Sequence, residues 1–139
     1  MEAAAFITKA TLTISYDQQD DYVYADWQGM QSAASIMQGC EEILAFVKKS
    51  GCARVLIDNT NLDHHSLDAE AWLPPVKWIV SDWFPRLYGS GCMHFAWVHS
   101  PDRINMLFPK ETLRFKIRNP NIFIFDNKEM AASWLNREV

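Results

Sequence analysis

From Asp58 to Ser66 the chain reads Asp-Asn-Thr-Asn-Leu-Asp-His-His-Ser, and most of its reactive side-chain types are gathered there. Imidazole and carboxylate together suit zinc or iron, which makes Asp58, Asp63, His64 and His65 the first candidates for metal ligands. Their spacing argues otherwise. Adjacent histidines point in different directions on most backbones, and no His-x-x-x-His pair occurs. His94 and His99 stand five apart on an apolar run, so on a strand they face opposite sides. A hydrolase triad of Ser66, His65 and Asp63 fails because three near neighbours in one loop rarely meet in space. The Gly-x-Ser-x-Gly elbow is also missing. The reading left is a ligand- or partner-binding surface of Asp58, Asn59, Thr60, Asp63, His64, His65 and Ser66, with no catalytic residue, metal or cofactor. A plainer role runs beside it: Asp58, Asn59 and Asn61 make turn hydrogen bonds, and Ser66 or Asp68 caps the following helix.

Aromatic residues form the second group. There are six tryptophans in 139 residues, and Trp72, Trp78, Trp83 and Trp97 fall on or beside one apolar helix and one apolar strand. Rings in such numbers pack a core, line a pocket for an apolar small molecule, or form a dimer interface. Trp83 lies on the inward stripe and Trp78 falls off it, so both join the candidate binding residues, and exposure of Trp78 would favour an interface.

The elements that position these groups follow from periodicity. Leu12, Ile14 and Tyr16 alternate with polar residues, and Tyr22–Trp27 follows after a polar break, which predicts an antiparallel hairpin. Ile36, Cys40, Ile43, Leu44 and Val47 recur at helical spacing, with Ser32 as the cap and Gly51 as the left-handed terminator. Val55-Leu56-Ile57 is a continuous apolar run, the pattern of a strand covered on both faces. That sets Asp58 at the carboxyl end of a central strand, where open α/β sheets keep their sites. Trp72, Val76, Ile79, Val80, Trp83, Phe84 and Leu87 predict a second helix, with Pro74-Pro75 in its first turn or at a kink and Pro85 loosening its end. Met93–His99 and Ile122–Phe125 are further strands. Asp126 caps a last helix that turns Met130, Ala131, Trp134 and Leu135 inward. One or two short helices are expected within Arg103–Arg118. The order predicts one α/β layered domain over residues 1–139: a mixed sheet of about five strands, hairpin first and parallel crossovers after, covered by helices.

Composition narrows the class. Apolar residues make up 49% and charged residues 22%, a globular balance. A formal charge of −4 argues against a nucleic-acid partner, and the basic run Lys110–Arg118 reads as a solvated face. Cys40, Cys52 and Cys92 form no Cys-x-x-Cys pair, so buried reduced thiols are expected. The first residues carry an acid where a leader carries positive charge, and no run reaches the roughly 18 apolar residues of a membrane span. The expected location is cytoplasmic. The surplus of apolar side chains for so small a domain predicts a homodimer.

Several local features coincide: an opening hairpin with an acidic turn, a helix ending Lys48-Lys49-Ser50-Gly51, a strand ending Leu56-Ile57-Asp58-Asn59, the Trp83-Phe84-Pro85-Arg86 element, and the closing helix from Asp126 to Leu135. Together they resemble the SpoIIAA-like, or STAS-like, bacterial domains over roughly Thr11 to Leu135. The resemblance implies a non-enzymatic regulatory or protein-interaction domain like the anti-sigma factor antagonists, which bind protein partners under control of a phosphorylated serine. Ser66 holds the comparable place, although His65 precedes it where those proteins carry aspartate. A neighbouring group of related fold binds lipids, which implies as the alternative a SEC14-like carrier of a lipid or small apolar ligand.

Overall fold

The structure, a computed structural model, describes residues 6–8, 12–62, 74–75, 77–99 and 122–137. The expectations for Asp63, His64, His65, Ser66, Asp68, Trp72 and the Arg103–Arg118 segment lie outside these residues.

The predicted hairpin forms from β2 (Leu12–Asp17) and β3 (Tyr22–Gly29), paired from Leu12 opposite Trp27 to Asp17 opposite Tyr22. Its turn closes with Asp21 in the left-handed region at φ 56°, a conformation that aspartate tolerates better than most residues. A short strand, β1 (Phe6–Thr8), adds antiparallel to β2. Among the described residues the sheet has six strands, in line with the expected mixed sheet of about five; three residues are too few for alternation to reveal β1. Helix α1 (Ala33–Ser50) starts at Ser32 in a reciprocal box: the Ser35 amide donates to Ser32 Oγ and the Ser32 amide to Ser35 Oγ. It ends at Gly51, φ 69°, whose amide donates to the Val47 carbonyl.

Strand β4 (Arg54–Leu62) follows, parallel to β3 and to β5 (His94–Val98). Strand β6 (Ile122–Phe125) is parallel to β5 and, among the described residues, forms one edge of a sheet in the order β1-β2-β3-β4-β5-β6. Pro74 and Pro75 are helical. Farther on, the backbone widens into a π-helical turn, Ile79–Trp83, before α2 (Phe84–Gly89), and the Phe84 amide donates back five residues to the Ile79 carbonyl. Pro85 accounts for the widening: it has no N–H, and its ring crowds the carbonyl four residues before it. The last helix, α3 (Lys128–Arg137), is capped by Asn127, whose Oδ1 accepts from the Met130 amide at 3.0 Å, and not by Asp126.

Strand alternation divides the core in two. On one face Ile14, Val23, Ala25, Val55, Ile57, Phe95 and Trp97 pack under α1, the π turn and α2. On the other, Tyr22, Leu56, Ala96 and Val98 meet Ala131 and Leu135 of α3. Each fully buried aliphatic side chain contributes about 1.5–3 kcal/mol. Contact with α1 is close enough to require glycine. A Cβ on Gly39 would lie 2.1 Å from the Trp27 ring. Two expectations shift, Met130 from the inward set and Trp78 from outside it. Met130 is exposed on α3, while Trp78 is half-buried against the first core. The three cysteines are buried free thiols, and burial pushes the Cys92 thiol up to about 12.

Candidate functional site

Asp58, Asn59 and Thr60 lie within β4, not in a turn beyond it. Period two then separates them. Asp58 and Thr60 face α3, and Asn59 faces α1. The three do not form one surface. Asp58 is buried, and both of its oxygens are engaged: Oδ2 accepts from the Tyr24 hydroxyl at 2.8 Å, and Oδ1 accepts from the Thr60 amide at 3.0 Å and its hydroxyl at 2.7 Å. Burial and the hydrogen bond to Asp58 drive the Tyr24 hydroxyl far above its ordinary pKa. Lys128 Nζ sits 4.1 Å from the centre of the same ring. This network joins β3, β4 and α3, and its carboxylate has no lone face to offer a substrate. Beside it Asn61 Nδ2 donates to Asp26 Oδ1, and Gln28 Nε2 to Asp26 Oδ2, both at 3.1 Å, where a bulge shifts the β3–β4 register.

Asn59 instead enters a half-open cavity between the sheet, α1 and the π turn. Trp27 and Ile36 line it from β3 and α1, Ile79 and Trp83 from the π turn, Ile57, Leu62, Phe95 and Trp97 from the sheet. Among the described residues, its polar side chains are Asn59 and His99. They are forty residues apart in sequence, with Asn59 Nδ2 and His99 Nδ1 3.4 Å apart. In this pair the Asn59 amide nitrogen is the donor and His99 Nδ1 the acceptor. The Asn59 Oδ1 atom is buried and has no hydrogen-bond partner among the described residues. The cavity measures about 30 Å³, against the ~10–15 Å³ that one water requires.

Trp83 is a wall of this cavity. It is 1% exposed, and its indole N–H donates to the Cys40 carbonyl of α1 at 2.8 Å. Edge contact with Phe95 locks its ring. Trp78 is no exposed anchor. It packs on the core, and the Arg86 guanidinium lies 5.7 Å from its ring centre. Arg86 also holds Glu41 in a two-point pair at 2.6 and 2.8 Å and Asp82 at 2.9 Å, and the Arg86 contact keeps the Glu41 carboxyl below its usual range.

A second feature lies at the β6 edge. Phe123 and Phe125 gather around Trp134 with ring centres 4.8 and 5.8 Å away, and Met130 stands on the same helix. Phe123 is 45% exposed and Met130 60%.

Sequence reasoning missed His99 as a site residue. Counting in twos from Phe95 and Trp97 finds it, because it continues their face. The partner residues Asp63, His64, His65 and Ser66 lie outside the described residues. Among the described residues, no three of His, Cys, Asp and Glu converge as metal ligands, and no helix is long and apolar enough to cross a membrane. No protein-family model matches the chain, and no curated protein matches it.

Proposed function

We propose that this protein is a non-enzymatic, cytoplasmic regulatory domain of the SpoIIAA-like kind, which acts by binding a protein partner and pairs with a second copy of itself. The observation that carries this reading is the aromatic face at the β6 edge. Aromatic and methionine side chains are enriched at interfaces, and here Phe123 and Met130 are exposed beside Phe125 and Trp134 at an outer strand of the sheet. A twofold axis along that edge would bury the same patch from both copies. The engagement of Asp58 by Tyr24 and Thr60 supports a structural role for the one carboxylate best located for chemistry.

Sedimentation velocity tests the pairing. Phe123→Lys combined with Met130→Lys should leave a folded domain that sediments as a monomer. Met30→Lys, at another exposed methionine, should leave the dimer intact. Equal behaviour of the two variants would remove the β6 edge from the interface.

Phosphorylation of Ser66 belongs to the same proposal and rests on the family resemblance. An added phosphate brings roughly −1.5 to −2 charges, and Asp63, Asp68 and Glu70 nearby would oppose it. Intact mass of protein isolated from its native host should show a phosphate that Ser66→Ala abolishes. An unmodified mass under all growth conditions would leave Ser66 as a helix cap.

A carrier of a lipid is the runner-up. The cavity has the apolar lining for it, but in this conformation about 30 Å³ does not admit an acyl chain.

A further inference from the structure

We infer that the cavity beneath α1 is a binding site for the polar end of a small, flat, largely apolar molecule that carries one hydrogen-bond donor, of the phenol type. Recognition of such a ligand is independent of pairing at the β6 edge, whose rings pack with Trp134 on the α3 face of the sheet, while the cavity lies on the α1 face.

Three observations converge on this chemistry. First, the site stands at the carboxyl end of the parallel strands β4 and β5, where open α/β sheets bind ligands. Second, Trp27, Trp83 and Trp97 present three ring systems to one small space, and their orientation is fixed. Trp83 is tied to Cys40, Trp27 is seated against Gly39, and Trp97 lies 4.9 Å from the His99 ring. Rigid aromatic walls suit a flat apolar body with little loss of side-chain freedom on binding. Third, Asn59 is 7% exposed, and its carbonyl oxygen meets the cavity without a hydrogen-bond partner among the described residues. Its amide nitrogen is already committed toward His99. Such an acceptor is unfavourable in an apolar wall until a donor reaches it. The donor group goes to Asn59, and the apolar body lies between the tryptophan rings toward the open side of the cavity.

Ligand size follows from volume. The inner space takes a hydroxyl or N–H and the atoms next to it, and the rest of the molecule occupies the mouth. This favours a single ring over a chain.

The experiment compares phenol with toluene, which has the same heavy-atom count and no donor, by titration of the full-length protein. The readout is the indole N–H resonances of Trp83 and Trp97. Toluene leaves water more readily than phenol, so an apolar pocket without an acceptor ranks toluene first. With Asn59 as the acceptor, phenol binds tighter, by about fivefold or more. Asn59→Leu then reverses the order, with unchanged circular dichroism. If that variant does not fold, the wild-type ranking alone decides. Toluene binding as well as phenol, or neither compound moving these two resonances, overturns the assignment.

Discussion

Replacing Trp83 with alanine should destabilise the domain by about 3–5 kcal/mol, among the largest effects of any single change. Trp83 is 1% exposed and belongs to the π turn that Pro85 imposes. Its ring contacts Phe84 and Phe95, and its indole N–H ties that turn to the Cys40 carbonyl of α1. Alanine removes the whole ring beside an existing cavity, so the gap enlarges an open space instead of closing by collapse. Trp83→Phe keeps most of the packing and loses the hydrogen bond, so about half that loss or less is expected. The midpoint and slope of urea unfolding measure both. A loss under about 1 kcal/mol for Trp83→Ala would mean that the π turn does not depend on this residue.

The second large effect belongs to Arg54, a buried guanidinium at the start of β4. Its Nε donates to the Asp21 carbonyl at 3.0 Å, Nη2 to the Asp20 carbonyl at 2.8 Å, and Nη1 to the Leu135 carbonyl of α3 at 2.9 Å. Asp21 adds a carboxylate oxygen 3.6 Å away. One side chain thus fastens the hairpin turn and the last helix to the central strand. Hydrogen bonds from a charged donor are worth about 1.5–3 kcal/mol each and do not sum when shared. Arg54→Met should therefore cost about 2–4 kcal/mol. Arg54→Lys should recover little, because an ammonium cannot reproduce the planar fork that reaches three carbonyls. Recovery of full stability by lysine would show that charge alone matters and geometry does not. Tyr16 reports on the same turn. Its hydroxyl donates to Asp21 Oδ1, which pushes its pKa up to about 12.

Much of this architecture is legible in the sequence because it rests on periodic burial. The alternation of Leu12, Ile14 and Tyr16, the helical stripe from Ile36 to Val47, and the unbroken run Val55-Leu56-Ile57 each report a face covered by protein. Ser32 and Gly51 mark the ends of α1 by their own stereochemistry. The remainder depends on contacts between distant residues. Strand β4 runs on through Asp58, Asn59, Thr60 and Asn61, with Tyr24 bonded to Asp58 and Asp26 to Asn61 across the sheet. Local polarity alone reads as a turn. That misreading merged two faces of one strand into one site, whereas the structure commits Asp58 to the α3 face and Asn59 to the cavity. His99 joins Asn59 only through the β4–β5 neighbourhood, forty residues later. Arg54 carries no local signal of its role, since nothing near it in sequence reveals the three carbonyls it reaches.

The binding account centres on the aromatic β6 edge, and the mass of the wild-type protein in solution tests it most directly. Light scattering at tens of micromolar should give twice the 16.0 kDa chain mass, falling toward one chain mass on dilution if the pairing is weak. A single 16.0 kDa species throughout that range would contradict self-association and leave the exposed face of Phe123 and Met130 without its proposed second copy.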